Sequence, residues 1–239
     1  MGAWLNGEFS TRQAAAFYDI AMKRRDFLIG SAGGALALAS APLSAAQRRA
    51  EATAWEIGPI IRRRNYSVGM PLHPQIDGQG WNFDFPGPRQ RDGHVHYVTR
   101  ATGSLRDARG IRLRYRVDAQ RQARFVPQEN PDLPGAISLY IQRAGDDWLA
   151  RGDGAFARWY SPNSRLQEIT PGEHELTVMF DENWISVMGS NRERHPREFV
   201  ETLVRAGRIG LTFGSRQSRG HGVYSTAPAR FTLLEFAVL

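Results

Sequence analysis

The chain has 239 residues, no cysteine and a net charge of +7, carried almost wholly by arginine because Lys23 is the only lysine. A cysteine-free sequence excludes disulfides, thiolate nucleophiles, iron–sulfur clusters and cysteine-ligated zinc. An apolar content of 41 % supports a folded core, and 24 glycines with 13 prolines between short apolar runs favour turns over long helices.

In chain order, the first recognisable element is an address. Residues 22–46 read MKRRDFLIGSAGGALALASAPLSAA. Lys23-Arg24-Arg25 precedes an apolar run from Phe27 to Ala41, and Ser44 with Ala46 fits the small-x-small pattern of a signal peptidase site. The run is too short, and too diluted by Gly and Ala, to span a bilayer. The segment resembles a twin-arginine signal peptide, departing from it at Lys23 and Ile29. That resemblance implies export through the twin-arginine translocon, removal by signal peptidase, a periplasmic or secreted location, and no transmembrane helix in the mature form. Residues 1–21 then read as an upstream extension ahead of a natural start at Met22. Residues 47–54 read as a polar leader, and 55–239 as the working domain. Removing residues 1–46 takes away four basic and three acidic residues, so the remainder stays basic and would attract polyanions. Export, and the lack of a recognisable binding module, argue against nucleic acid as a partner.

Beyond Trp55 the dominant signal is alternation with period two, the mark of half-buried strands. His94–Thr99 places His94 and His96 on one face, about 7 Å apart. Ile111–Val117 turns Ile111, Leu113, Tyr115 and Val117 inward and Arg112, Arg114 and Arg116 outward. Ile137–Gln142 buries Ile137, Leu139 and Ile141 and presents Ser138, Tyr140 and Gln142. Glu175–Phe180 and Trp184–Met188 flank Asp181-Glu182-Asn183 at hairpin spacing, and Arg208–Phe213 and Ala229–Leu239 supply closing core strands. Only Arg197–Ala206 reads as helical, with Phe199, Val200, Leu203 and Val204 on one side and Gly207 as a stop. The predicted fold is all-β: a single-domain β-sandwich or jelly roll of mostly antiparallel strands, with one short helix near 197–206.

The succession HELTVMFDENWISVMG, RIGLTFGS and RGHGVYSTAPARFTLLEFAV resembles the closing half of a concanavalin A-like lectin/glucanase jelly roll, over about residues 170–239. The resemblance implies that fold and a link to glycans, and names no activity.

Two sets of residues could carry chemistry. If Arg112, Arg114 and Arg116, Tyr140 and Gln142, and His94 and His96 shared one concave face, the groove would resemble that of β-jelly-roll polysaccharide lyases. In that case Arg114 and Gln142 would neutralise a uronate carboxylate, and His94, His96 or Tyr140 would move the proton. The second set lies in residues 142–160, where Trp148, Trp159 and Tyr160 accompany Arg143, Arg158 and Asp147. Aromatic faces beside charged groups suit sugar rings, and His221, in a Gly-His-Gly loop, joins this ligand-binding set. No cofactor or metal is expected. His94 and His96 with His73 or His221, and Asp146, Asp147 and Asp153, lack a ligand spacing that specifies a metal. A glycosidase needs paired carboxylates, and no cluster among Asp84, Glu129, Asp147, Glu173 and Glu175 supplies them. The expected function is glycan binding by an exported β-sandwich, with an oligo- or polysaccharide as ligand. The alternatives are a polysaccharide lyase on the same fold and a structural or protein-binding envelope protein.

Overall fold

The computed structural model describes residues 44–78 and 80–239. The extension 1–21 and nearly all of the signal segment therefore lie outside the described residues.

Two antiparallel sheets are stacked face to face. The larger follows the order Trp55–Gly58, Tyr97–Ala101, Ala206–Gly214, Ala136–Arg143, Arg158–Tyr160 and Ile185–Ser186, with Gln167–Glu168 also pairing to Ala136–Arg143. The smaller follows Gly172–Met179, Gly110–Ala119, Ala229–Val238, Gly80–Asp84 and Gln75–Asp77. Alternation explains why these segments settle here: Ile111, Leu113, Tyr115 and Val117 of one sheet and Ile137, Leu139 and Ile141 of the other are all buried between them. Aromatic rings join the sheets. Phe213 of the larger meets Phe83 and Phe231 of the smaller edge-on, at 5.7 Å in each case. Trp55 of the larger sits 5.0 Å from Trp81 of the smaller. The all-β sandwich is as predicted.

Four local expectations change. The residues read as a polar leader form a helix, Ala45–Ala54, started by a capping box between Ser44 and Gln47. Ala52 of this helix reaches the core, and the predicted cleavage pair, Ser44 and Ala46, stands at its first turn. The Asp181–Asn183 turn does not close a hairpin. It carries the chain from Gly172–Met179 in the smaller sheet to Ile185–Ser186 in the larger, because Trp184 plugs the core and turns the following strand away. The predicted helix is Pro196–Val204, with Pro196 in its first turn and Phe199, Thr202 and Leu203 buried. Val200 faces outward, more than half exposed. Gly207 is not its stop: it lies at a bulge inside Ala206–Gly214, where a Cβ would stand 2.8 Å from the Ala144 Cα. No helix of the described residues is long and apolar enough to cross a membrane.

Candidate functional site

The outer face of the larger sheet is where side chains of chemical interest collect. Alternation turns Ser138, Tyr140 and Gln142 outward, and the register brings Thr212 beside both Ser138 and Tyr97, Gly210 beside Tyr140, and Tyr140 beside Tyr160. An outward face is ordinarily wet. Here Tyr97, Ser138, Tyr140, Gln142, Arg158 and Thr212 are all buried, because the segments 144–152 and 215–222 lie over them.

The first of these segments is held down by one carboxylate. The Asp146 carboxylate is fully buried; it accepts from the Gln142 amide at 2.9 Å and from the Trp148 backbone N–H at 3.1 Å, and pairs with the Arg158 guanidinium at 3.1 Å. This clamp sets Trp148 in the left-handed region, at φ 68°. Its ring then lies over Arg158 at 4.9 Å and edge-on to Tyr97 at 5.5 Å. Beneath it Tyr97, Tyr140 and Tyr160 form a cluster, with the Tyr97 and Tyr160 hydroxyls 3.0 Å apart. Burial, reinforced by the neighbouring phenols, pushes the Tyr97 and Tyr140 hydroxyls well above their ordinary range, and burial raises Tyr160 as well. All three are neutral hydroxyls at physiological pH. The Tyr140 and Thr212 hydroxyls are buried on this face without a hydrogen-bond partner.

Two clefts open on either side of the Tyr97–Tyr160 pair. The first, about 360 Å³, is lined by Tyr97, Gln142, Arg143, Trp148, Glu56 and Arg208. Arg208 binds Glu56 at 3.1 Å and the Thr99 hydroxyl at 3.0 Å. The second, about 300 Å³, is lined by Tyr160, Ser186, Arg216, Arg219 and His221, with Asn163 at its edge. A more voluminous hollow of about 670 Å³ lies between Phe85 and Pro228. Its charges are spent on each other, Arg89 with Asp92 and Arg230 with Asp84, so it offers less to a polar ligand.

The residues expected to share a groove do not all meet. Arg114 is on the outer face of the smaller sheet, opposite Glu175 and Glu235 at 3.8 and 4.0 Å. Arg112 and Arg116 stand in the same ladder, facing Glu235 and Asp118. That sheet and the core separate them from Tyr140 and Gln142. His94 and His96 are neighbours, with ring centroids 6.2 Å apart, yet neither lines either of these two clefts. The His96 Nδ1 donates to the Gly220 carbonyl at 3.1 Å, its Nε2 is tucked beside Gly222, and burial pushes its pKa down to about 4. His94 lies against Tyr224, and burial lowers its pKa too. Tyr140 and Gln142 are on the candidate face, but the Gln142 amide is committed to Asp146.

Of the second set, Trp148, Arg143, Tyr160 and His221 line the clefts, and Arg158 supports Trp148 from below. Trp159 is a core residue, fully buried, with its indole N–H donating to the Phe156 carbonyl at 2.7 Å. It points away from Arg158 and Tyr160, as the alternation of that strand requires. Asp147 is exposed and caps its own turn through the Leu149 N–H at 2.9 Å, outside both clefts. Among the described residues no three His, Asp or Glu side chains converge to hold a metal ion; Asp146 serves Arg158 instead. Sequence reasoning missed Tyr97, Glu56, Arg208, Ser186, Arg216 and Arg219. Tyr97 was signalled by its place between His96 and the apolar Val98, whereas Arg219 lay in a run that reads only as a loop.

No protein-family model matches this chain, and no curated protein sequence matches it.

Proposed function

We propose that the protein binds an oligosaccharide along the outer face of the larger sheet, across Trp148, Tyr97 and Tyr160, without transforming it. The supporting observation is the roofed-over polar and aromatic face with its two unpartnered buried hydroxyls between two clefts. A pyranose presents C–H faces that pack on rings such as Trp148, and hydroxyls that need donors and acceptors such as Gln142, Glu56 and Arg208. The twin-arginine character of residues 22–46 supports an exported location, where cell-envelope glycans are the abundant polar polymers.

Binding is favoured over hydrolysis or elimination by how the reactive groups are used. In the first cleft, Asp146 is clamped by Arg158 and Glu56 is held by Arg208, so neither carboxylate stands ready as acid, base or nucleophile. The residues of the lyase reading are divided between two sheets, and its histidines are turned into loop packing. Isothermal titration with neutral and acidic envelope oligosaccharides tests the proposal. Trp148→Ala should weaken binding by about tenfold to a hundredfold, or about 1.4–3 kcal/mol, while the protein still melts cooperatively. Heatless titrations across the panel would remove this function.

A further inference from the structure

Arg158 and Arg219 pose the same physical problem on the same sheet face, and only one is solved internally. The Arg158 guanidinium is buried beneath the covering segments, and Arg219, within the segment 215–222, is half-buried. Arg158 is given Asp146 as a counter-anion. Arg219 is given only neutral partners: it donates to the Ser161 carbonyl and to the Asn163 side-chain oxygen, and lies 5.9 Å from the centre of the Tyr160 ring. Among the described residues no carboxylate pairs with it. A second cation, Arg216, lines the same cleft; it donates to the Asn163 backbone carbonyl at 3.4 Å and adds like-charge repulsion to Arg219. A cation partly withdrawn from water without a counter-anion is costly, and desolvation accordingly pushes the Arg219 pKa down to about 10. His221 stands at the mouth of the cleft, 2.5 Å from Glu129.

Resting on the oligosaccharide reading above, we propose that the cleft formed by Tyr160, Arg216 and Arg219 receives an anionic substituent of the bound sugar, a carboxylate or a sulfate ester. The two arginines neutralise it. The Tyr160 ring forms the adjoining wall for the sugar that carries it. The first cleft, whose Arg208 and Arg143 already face Glu56 and Glu201, takes a neutral part of the chain. The ligand is thus an acidic glycan read at one end by charge and at the other by ring stacking.

The experiment compares three tetrasaccharides by isothermal titration: oligogalacturonate, chondroitin sulfate and cellotetraose. The expected result is at least tenfold tighter binding of one or both acidic probes than of cellotetraose, with the better probe distinguishing carboxylate from sulfate. Arg216→Gln, which gives up only a bond to a backbone carbonyl, should remove most of that preference. Arg219→Gln should abolish it. Arg114→Gln, which deletes the same charge on the opposite sheet, should preserve it. Equal affinity for acidic and neutral probes, or equal loss in Arg114→Gln and Arg216→Gln, would overturn the anion site. A separate arm measures thermal stability in sodium sulfate and sodium glucuronate against sodium chloride at matched ionic strength. Stabilisation that disappears in Arg216→Gln supports the anion site even if no tetrasaccharide binds, in which case the oligosaccharide reading alone fails. Stabilisation in neither salt together with no titration heat overturns both.

Discussion

At the scale of single residues, the candidate face depends on Asp146. Its carboxylate is fully buried, and its three partners join the covering segment to two adjacent strands. Removing it leaves the Arg158 guanidinium buried with no anion, and the loss of one member of such a pair costs about 3–5 kcal/mol. Asp146→Ala should therefore lower unfolding stability by about 3 kcal/mol in urea and release Trp148, seen as a red shift of tryptophan emission. His96 makes a second residue-scale prediction. Its ordinary pKa of 6.5 falls to about 4 in the folded state because burial disfavours the imidazolium. Between those values the unfolded chain holds the proton and the folded chain does not. Stability is thus fully present above pH 6.5 and declines as pH drops toward 4, by up to about 3 kcal/mol. His96→Gln should flatten that decline in denaturation curves taken from pH 7 to pH 4. An unchanged slope would show that other groups set the acid limit.

At the scale of elements, the two covering segments decide what the sheet face can do. Gly220, in the segment 215–222, adopts φ 72°, and a Cβ there would meet the Tyr97 ring and hydroxyl at 2.4 Å. Gly220→Ala therefore combines left-handed strain with an intrusion into the tyrosine cluster. It should cost about 1–3 kcal/mol in thermal or urea unfolding, and weaken ligand binding by displacing Tyr97. The arginine strand behaves oppositely. Arg112, Arg114 and Arg116 form solvent-facing cross-strand pairs with Glu235, Glu175 and Glu173, and pairs of this kind contribute about 0–1 kcal/mol. That is why Arg114 serves as a control for charge rather than as a site residue. The alternation of Gly110–Ala119 was readable because its inward residues are uniformly apolar. Which sheet its arginines would cover was not, since period two distinguishes the faces of a strand and says nothing about its neighbours. Trp159 was readable in principle: once Arg158 and Tyr160 are outward, the residue between them must be inward.

At the scale of the whole molecule, the sandwich is closed by its last strand. Ala229–Val238 lies in the middle of the smaller sheet, bonded on one side to Gly110–Ala119 and on the other to Gly80–Asp84. A chain ending at Pro228 loses both ladders and the buried Phe231 and Leu233. It should show no cooperative thermal transition by circular dichroism; a sigmoidal melt from such a truncation would contradict the assigned topology. Pairings of this sequence separation are closed late and slowly, which places the folding of the intact domain in the millisecond-to-second range.

The alternation of apolar and polar residues, the turn-forming glycines and prolines, and the amphipathic run near 197–206 were enough to determine a stacked all-β domain with a short helix. Those properties are local, and period two is imposed by the pleat of any strand. The candidate site was decided only in three dimensions. Tyr97, Tyr140, Tyr160 and Thr212 come from four strands scattered over more than a hundred residues, Asp146 folds a loop onto them, and Arg219 is left half-buried without an anion in a segment that reads as ordinary loop. Burial and pairing of charge depend on which strands become neighbours, and no spacing along the chain encodes that directly.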